Sequence, residues 1–205
     1  MKKVGVIGLG DMGSGLAKNL IQNGFETVGF DLSQKRMADF EAMGGNPTQD
    51  VKSVAQNATT VFLMVMTGEQ ANEVIFNSGG LADNLAKGSS IILTATIKPS
   101  EAKNLGKNLE EFDLHFIDSP VSGGYPGAQS GTLTIMAAGA EIALAENSDV
   151  MQAISKTIHI VGSKAGEGQT VKACLQSLIG SIFSATFEAA ALAAKAGISG
   201  EVLFN

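Results

Sequence analysis

Two rhythms of apolar and polar positions alternate along the first 160 residues. Short apolar runs at Val4–Ile7, Glu26–Phe30, Val61–Met66, Ser90–Thr94, His115–Ile117, Thr132–Ala137 and Ile158–Val161 are closed by glycine, acidic or turn residues, and they predict strands. Between them, apolar residues recur at helical spacing in Ala17–Ile21, in a segment from a Ser33 cap to about Met43 stopped by Gly44-Gly45, in Glu69–Phe76 and in Ser100–Leu109. Strands alternating with helices imply an α/β domain, a parallel sheet with helices on both faces.

The rhythm changes after Gly162. From about Gly168 to Ala196 only Gly180 interrupts a strongly helix-forming stretch, with alanine dense from 189 onward. Such a helix is ~40 Å long at 1.5 Å per residue, too long for an ordinary sheet-packing crossover. Gly197 is placed to stop it, and Ser199 to cap another helix with Glu201 in its first turn. The expected organisation is a first domain over 1–163, then a long interdomain helix and the start of an all-α domain over 164–205. A capped helix with almost no body before Asn205 predicts a natural protein that continues further.

Composition narrows the function. The net charge of −6 opposes binding to nucleic acid, which wants a basic face, and to an anionic membrane surface. No apolar stretch is expected to reach the ~18 residues a membrane span needs, and the run after Met-Lys-Lys is broken too early for a signal peptide, so a soluble cytoplasmic protein is expected. The lone cysteine, Cys174, excludes an intrachain disulfide and is expected to be a small buried hydrophobe. His115 and His159 lie in separate strands and form no metal set.

Gly8-Leu9-Gly10-Asp11-Met12-Gly13 follows a predicted strand and opens a predicted helix. In a G-x-G-x-x-G turn of this placement, the first glycine makes the tight turn, the second admits a pyrophosphate to the backbone and the third lets helix and strand pack closely. Asp31 closes the second strand at the expected distance of ~20 residues, where a carboxylate accepts hydrogen bonds from ribose hydroxyls and repels a 2′-phosphate. The fold implied is a Rossmann-type doubly wound sheet, and the cofactor is NAD rather than NADP. Lys35 and Arg36 could soften that preference or be solvated helix positions.

Two further segments carry candidate chemistry. Ser122-Gly123-Gly124, after the strand ending at Asp118, can aim several backbone N–H groups and a hydroxyl at a substrate carboxylate; the other reading is a plain turn. Lys172 and Gln176 are four apart and share a helix face that Gly180 continues, while Val171, Leu175, Leu178, Ile182 and Phe183 could cover a core. A lysine so placed is either functional or snorkels to solvent.

Taken together, these segments resemble the β-hydroxyacid dehydrogenases, a family that includes 3-hydroxyisobutyrate dehydrogenase, tartronate semialdehyde reductase and L-threonate dehydrogenase. The resemblance covers nearly the whole chain. It rests on Gly8-Leu-Gly-Asp-Met-Gly13 with Asn19-Leu20; Asp118-Ser-Pro-Val-Ser-Gly-Gly124 with Gly127-Ala128 and Gly131-Thr-Leu133; Gly166-x-Gly168-x-x-x-Lys172; and Glu188 with Ala193 through Gly197. It implies hydride transfer between NAD and a small 3-hydroxy acid, with Lys172 as catalytic lysine and Ser122, Gly123 and Gly124 as substrate-carboxylate loop. Thr96 and the segment Met64, Val65 and Met66 would border the cofactor. It also implies a homodimer or homotetramer. Gln176 stands where many members carry Asn, which tilts the substrate toward polyhydroxylated acids. The alternatives are an NADPH-dependent semialdehyde reductase and a non-catalytic NAD-binding module.

Overall fold

The computed structural model describes residues 2–205. The amino-terminal half supplies β1 (Lys3–Ile7), β2 (Glu26–Phe30), β3 (Asn46–Pro47), β4 (Thr60–Leu63) and β5 (Ser90–Leu93). Helices α1 (Asp11–Gln22), α2 (Gln34–Ala42), α3 (Val51–Asn57), α4 (Gly68–Phe76), α5 (Leu81–Asn84) and α6 (Pro99–Leu109) connect them. The second half supplies β6 (His115–Asp118), β7 (Val121–Ser122), β8 (Leu133–Ala138) and β9 (Ser155–Gly162). Its helices are α7 (Gly124–Ser130), α8 (Glu141–Glu146), α9 (Ser148–Ile154), α10 (Glu167–Lys195) and α11 (Gly200–Phe204).

These strands form one sheet in the order β3-β2-β1-β4-β5-β6-β8-β7, with β9 on the free side of β8. From β3 to β6 all pairings are parallel. The wholly parallel sheet expected from the alternation is not what forms, because β8 runs antiparallel to β6 and β7 before β9 rejoins it in parallel. The ten-residue link from β7 to β8 is shorter than the dozen or more residues a parallel crossover takes, and a left-handed Gly131 (φ 67°) turns the chain back.

Successive residues of the central strands face opposite sides of the sheet. Val4, Val6, Phe62, Ile92 and Ile117 enter one apolar cluster, and Ile7, Val61, Leu63, Ile91 and Leu93 enter the other. Burial on both faces explains why these strands read as continuous apolar runs. The predicted Ser33 cap is present, its hydroxyl accepting from the Arg36 N–H at 3.4 Å.

Helix α10 leaves this body, and three expectations about it fail. Only Gly168, Gln169 and Lys172 are buried along its length. Val171, Leu178, Ile182 and Phe183 are exposed and cover no core within this chain, and Leu175 is only half-buried. Cys174 is exposed as well, because it lies on the outward side of the same helix. By length and composition α10 is also apolar enough to cross a membrane, with a mean hydropathy of 1.4 over its best 18 residues. The interrupting Ser, Thr and Gln residues lower that average too little to hide the stripe.

Candidate active site

The fingerprint turn lies at the carboxyl ends of β1 and β4, where the sheet order reverses, the usual place for a ligand in an open α/β sheet. Gly8 has φ 88°, and a Cβ there would run into the Met64 carbonyl oxygen. A Cβ at Gly13 would overlap the Gly8 carbonyl oxygen. Beside Gly10, the Arg36 guanidinium is the nearest group, 3.7 Å from where a Cβ would stand, so the turn is open on its outer side. Gly10 caps α1 with no side-chain hydrogen bond, leaving the first-turn N–H groups and the positive helix end to an anion. A dinucleotide pyrophosphate therefore fits the glycines present. Asp11 begins the helix and is exposed.

At the adenosine end, Asp31 accepts from the Leu9 N–H through Oδ2 and from the Ser33 N–H through Oδ1, both at 2.8 Å. Arg36 Nη1 lies 3.4 Å from Oδ2. A carboxylate offers about four acceptor positions, so Asp31 can take ribose hydroxyls once Arg36 gives way. Lys35 instead pairs with Asp39 at 2.6 Å.

The chemistry-bearing residues meet in one cavity of about 570 Å³. Ser122, Gly123 and Gly124 form one wall, Lys172 and Gln176 another, and Thr96, Met12 and Met64 close the cofactor side. Val65 and Met66 do not line it. The predicted strand over 61–66 ends at Leu63, and Met64–Met66 form the loop into the Thr67 cap of α4, with the Met66 N–H donating to Gln70 Oε1 at 2.9 Å. Thr94, Val121, Ile179 and Phe183 complete the lining; sequence gave none of them a site role, and Phe183 was expected to cover a core. A second hollow of about 590 Å³, between Glu141 and Ile160, is mostly apolar and shares no lining residue with this cavity.

Ser122-Gly123-Gly124 is more than a plain turn. Gly123 has φ 127° and caps α7, so the first-turn N–H groups of that helix face outward from the loop. Helix α7 is held against α1: a Cβ on Gly15 would come within 2.6 Å of the Ala128 carbonyl, and Asn19 Nδ2 donates to the Ala128 oxygen at 2.8 Å. The Asn19-Leu20 and Gly127-Ala128 motifs thus fix the anion loop beside the cofactor turn.

Lys172 does not snorkel. It is 7% exposed, and burial pulls its ammonium below the usual lysine range. Two residues that sequence reasoning left without a role hold it there. Asp118 is fully buried and accepts from the Gly166 and Gln169 N–H groups at 2.8 and 3.1 Å, and from Gln169 Nε2 at 3.0 Å. Burial pushes its carboxyl above the usual range against the pull of those donors. The glycine spacing before the lysine now has a reason. Gly166 needs φ 95°, and a Cβ on Gly168 would lie 2.6 Å from the Met136 oxygen and 2.8 Å from the Asp118 oxygen.

The family model for the NAD binding domain of 6-phosphogluconate dehydrogenase matches residues 3–162. Over 203 residues the chain is 34% identical to L-threonate dehydrogenase of Escherichia coli K12, covering 98% of this chain and 67% of that protein. The chain belongs to the β-hydroxyacid dehydrogenase family. Mitochondrial 3-hydroxyisobutyrate dehydrogenase of Mus musculus is 32% identical over 200 residues, 98% of this chain and 59% of that protein. The crystal structure of a 3-hydroxyisobutyrate dehydrogenase from Salmonella typhimurium superposes with a TM-score of 0.90 at 32% identity, over 99% of this chain and 71% of that one. The matched residues are those of an NAD binding domain, and the cofactor is NAD. The match to the Salmonella structure runs through α10, which places that apolar helix within the dehydrogenase fold.

Proposed function

We propose that the protein transfers a hydride between NAD and the hydroxyl-bearing carbon of a small 3-hydroxy acid, with Lys172 as general acid and base. The observation that carries this reading is the meeting of Lys172, the Ser122–Gly124 loop and Thr96 in one cavity at the end of the cofactor turn. The substrate carboxylate sits on the N–H groups at Gly123 and Gly124 and the Ser122 hydroxyl. NAD, when bound, accepts the hydride. The neutral Lys172 amine takes the hydroxyl proton at Nζ and returns it in the reductive direction. Gln176 orients the lysine or binds a further hydroxyl, which favours four-carbon sugar acids; the resemblance to L-threonate dehydrogenases supports the same choice. Residues 1–163 form the NAD-binding domain, and 164–205 begin a helical one. The exposed apolar stripe of α10 supports a homodimer or homotetramer, and we read the protein as cytoplasmic.

Absorbance of NADH, followed with the full-length protein against L-threonate, D-glycerate, 3-hydroxyisobutyrate and L-serine, tests the reading. Turnover of one acid with NAD supports it. NAD binding without turnover of any of them would return the chain to a non-catalytic module.

Asp31 sets the cofactor preference. Asp31→Asn removes the charge that strengthens the ribose hydrogen bonds, each worth about 1.5–3 kcal/mol to a charged acceptor. The KM for NAD is expected to rise by roughly tenfold or more. Use of NADP should improve at the same time, because Arg36 is freed for a 2′-phosphate. An unchanged NAD/NADP ratio of kcat/KM contradicts this role.

The lysine also fixes the pH dependence. Oxidation needs the neutral amine, so kcat/KM rises with pH through a value below the ordinary lysine 10.5. Reduction needs the ammonium and falls through the same range. A lysine whose folded pKa is lowered costs stability where it is charged, so its contribution to folding improves as pH rises through that window. A pH–rate profile flat from neutrality to the ordinary lysine pKa, in both directions, would rule out a titrating lysine.

A further inference from the structure

We infer that Asp118 and Gln169 are positioning residues, a buried pair that sets where the lysine helix begins relative to the loop carrying Thr96. The inference rests on the reading of Lys172 as acid and base. Gln169 is three residues before Lys172, on the same helix face, and is 1% exposed. Its amide joins three segments. Nε2 donates to the Ala95 oxygen at 2.9 Å and to Asp118 Oδ1 at 3.0 Å, and Oε1 accepts from the Ile97 N–H at 3.0 Å. Ala95 and Ile97 flank Thr96, which lines the cofactor side of the cavity. The pair therefore ties the wall that bears Thr96 to the wall that bears Lys172.

Hydrogen-bond polarity makes this link specific. A flipped Gln169 amide would set its NH2 against the Ile97 N–H and its oxygen against the Ala95 carbonyl, so its orientation is fixed without reference to Asp118. With that orientation, Asp118 meets three N–H donors and must be an acceptor to all of them. Two of those donors are main-chain groups at the start of α10, the Gly166 cap and Gln169 in the first turn, where a carboxylate also meets the positive end of a 29-residue helix. Asp118 is thus a cap supplied from β6, 48 residues away from Gly166 in sequence. Gly168, with no room for a Cβ, keeps the helix start pressed on the main chain at Asp118 and Met136. Neither Asp118 nor Gln169 lines the cavity; the pair acts through the placement of Lys172.

The test is a double-mutant cycle in the full-length enzyme. Asp118→Asn sets a new NH2 against a donor, and Gln169→Glu sets two carboxylates against each other. Asp118→Asn combined with Gln169→Glu restores the donor–acceptor match between the two side chains: the amide at 118 donates to the carboxylate at 169, which still accepts from Ile97, while a carboxylate oxygen now faces the Ala95 carbonyl in place of the lost bond. Each single variant is expected to lower kcat by about 10- to 100-fold, as a misplacement near 1 Å does. The Kd for NAD should stay within about twofold, and the double variant should exceed the product of the single effects by about tenfold. If Asp118→Asn does not fold, Gln169→Met leaves Asp118 its two main-chain donors and should show the same split between kcat and Kd. Folded variants with wild-type kcat, or a cycle that is simply additive, overturn the inference. Lys172→Ala runs alongside. Its inactivity together with unaffected positioning variants defeats the inference alone, whereas surviving turnover defeats the lysine reading and the inference with it.

Discussion

Replacing Lys172 with alanine is expected to lower turnover by about 10²- to 10⁴-fold, the usual contribution of a positioned acid or base. The Kd for NAD should hardly move, because Lys172 is no part of the Gly8–Gly13 turn or of the Asp31 carboxylate that would hold the dinucleotide. Stability separates this loss from misfolding. Burial alone pulls the Lys172 pKa down, so holding its ammonium charged costs the fold free energy. Lys172→Met keeps the length and apolar stem and removes that cost. It should therefore melt at the same temperature as wild type or higher, and still be inactive. A lysine retained only for structure would show the reverse, with lower melting temperature and surviving turnover.

The second large effect is expected at Gly13. A Cβ at this position overlaps the carbonyl oxygen of Gly8, a main-chain atom that cannot rotate away. Gly13→Ala must therefore push α1 off β1, at a cost of about 3 kcal/mol, the upper end for forcing extra atoms into a packed site. The fingerprint turn widens, and the Kd for NAD should rise by roughly tenfold or more per 1.4 kcal/mol transmitted to it. Calorimetric titration with NAD and a thermal melt read the two effects. An alanine variant that binds NAD as wild type does would show that the close packing of turn and helix is dispensable.

Much of this site is legible in the linear sequence because its chemistry is local. A glycine turn between a strand and a helix, an acid at the end of the next strand and a lysine with an amide one turn later all announce themselves by spacing. The two-faced sheet is equally legible, since strands buried on both sides are continuous apolar runs. What the sequence conceals is long-range. Asp118 opens a conspicuous motif, yet its partners at Gly166 and Gln169 are 48 and 51 residues away. No periodicity marks a carboxylate that caps a distant helix. A buried acid ending an otherwise apolar strand was the available signal. The short helix α7 escapes notice because Gly124-Tyr-Pro-Gly has weak helix propensity, and its fixed place comes from packing against Gly15 and Asn19. Helical periodicity in α10 correctly gives a helix, but it reports an apolar face without saying what covers it; here that face, with Cys174, is open to solvent.

The central claim is hydride transfer between a hydroxy acid and NAD at the Lys172 cavity, and deuterium transfer tests it most directly. The full-length protein would be given NAD and the most rapidly oxidised hydroxy acid, deuterated at its hydroxyl-bearing carbon, and the product dinucleotide examined by mass spectrometry. The account predicts NADH carrying one deuterium, formed more slowly than from the unlabelled acid, and about 10²- to 10⁴-fold more slowly again by the Lys172→Ala variant. Reduced dinucleotide without deuterium, or deuterated product formed at wild-type rate by that variant, would contradict it.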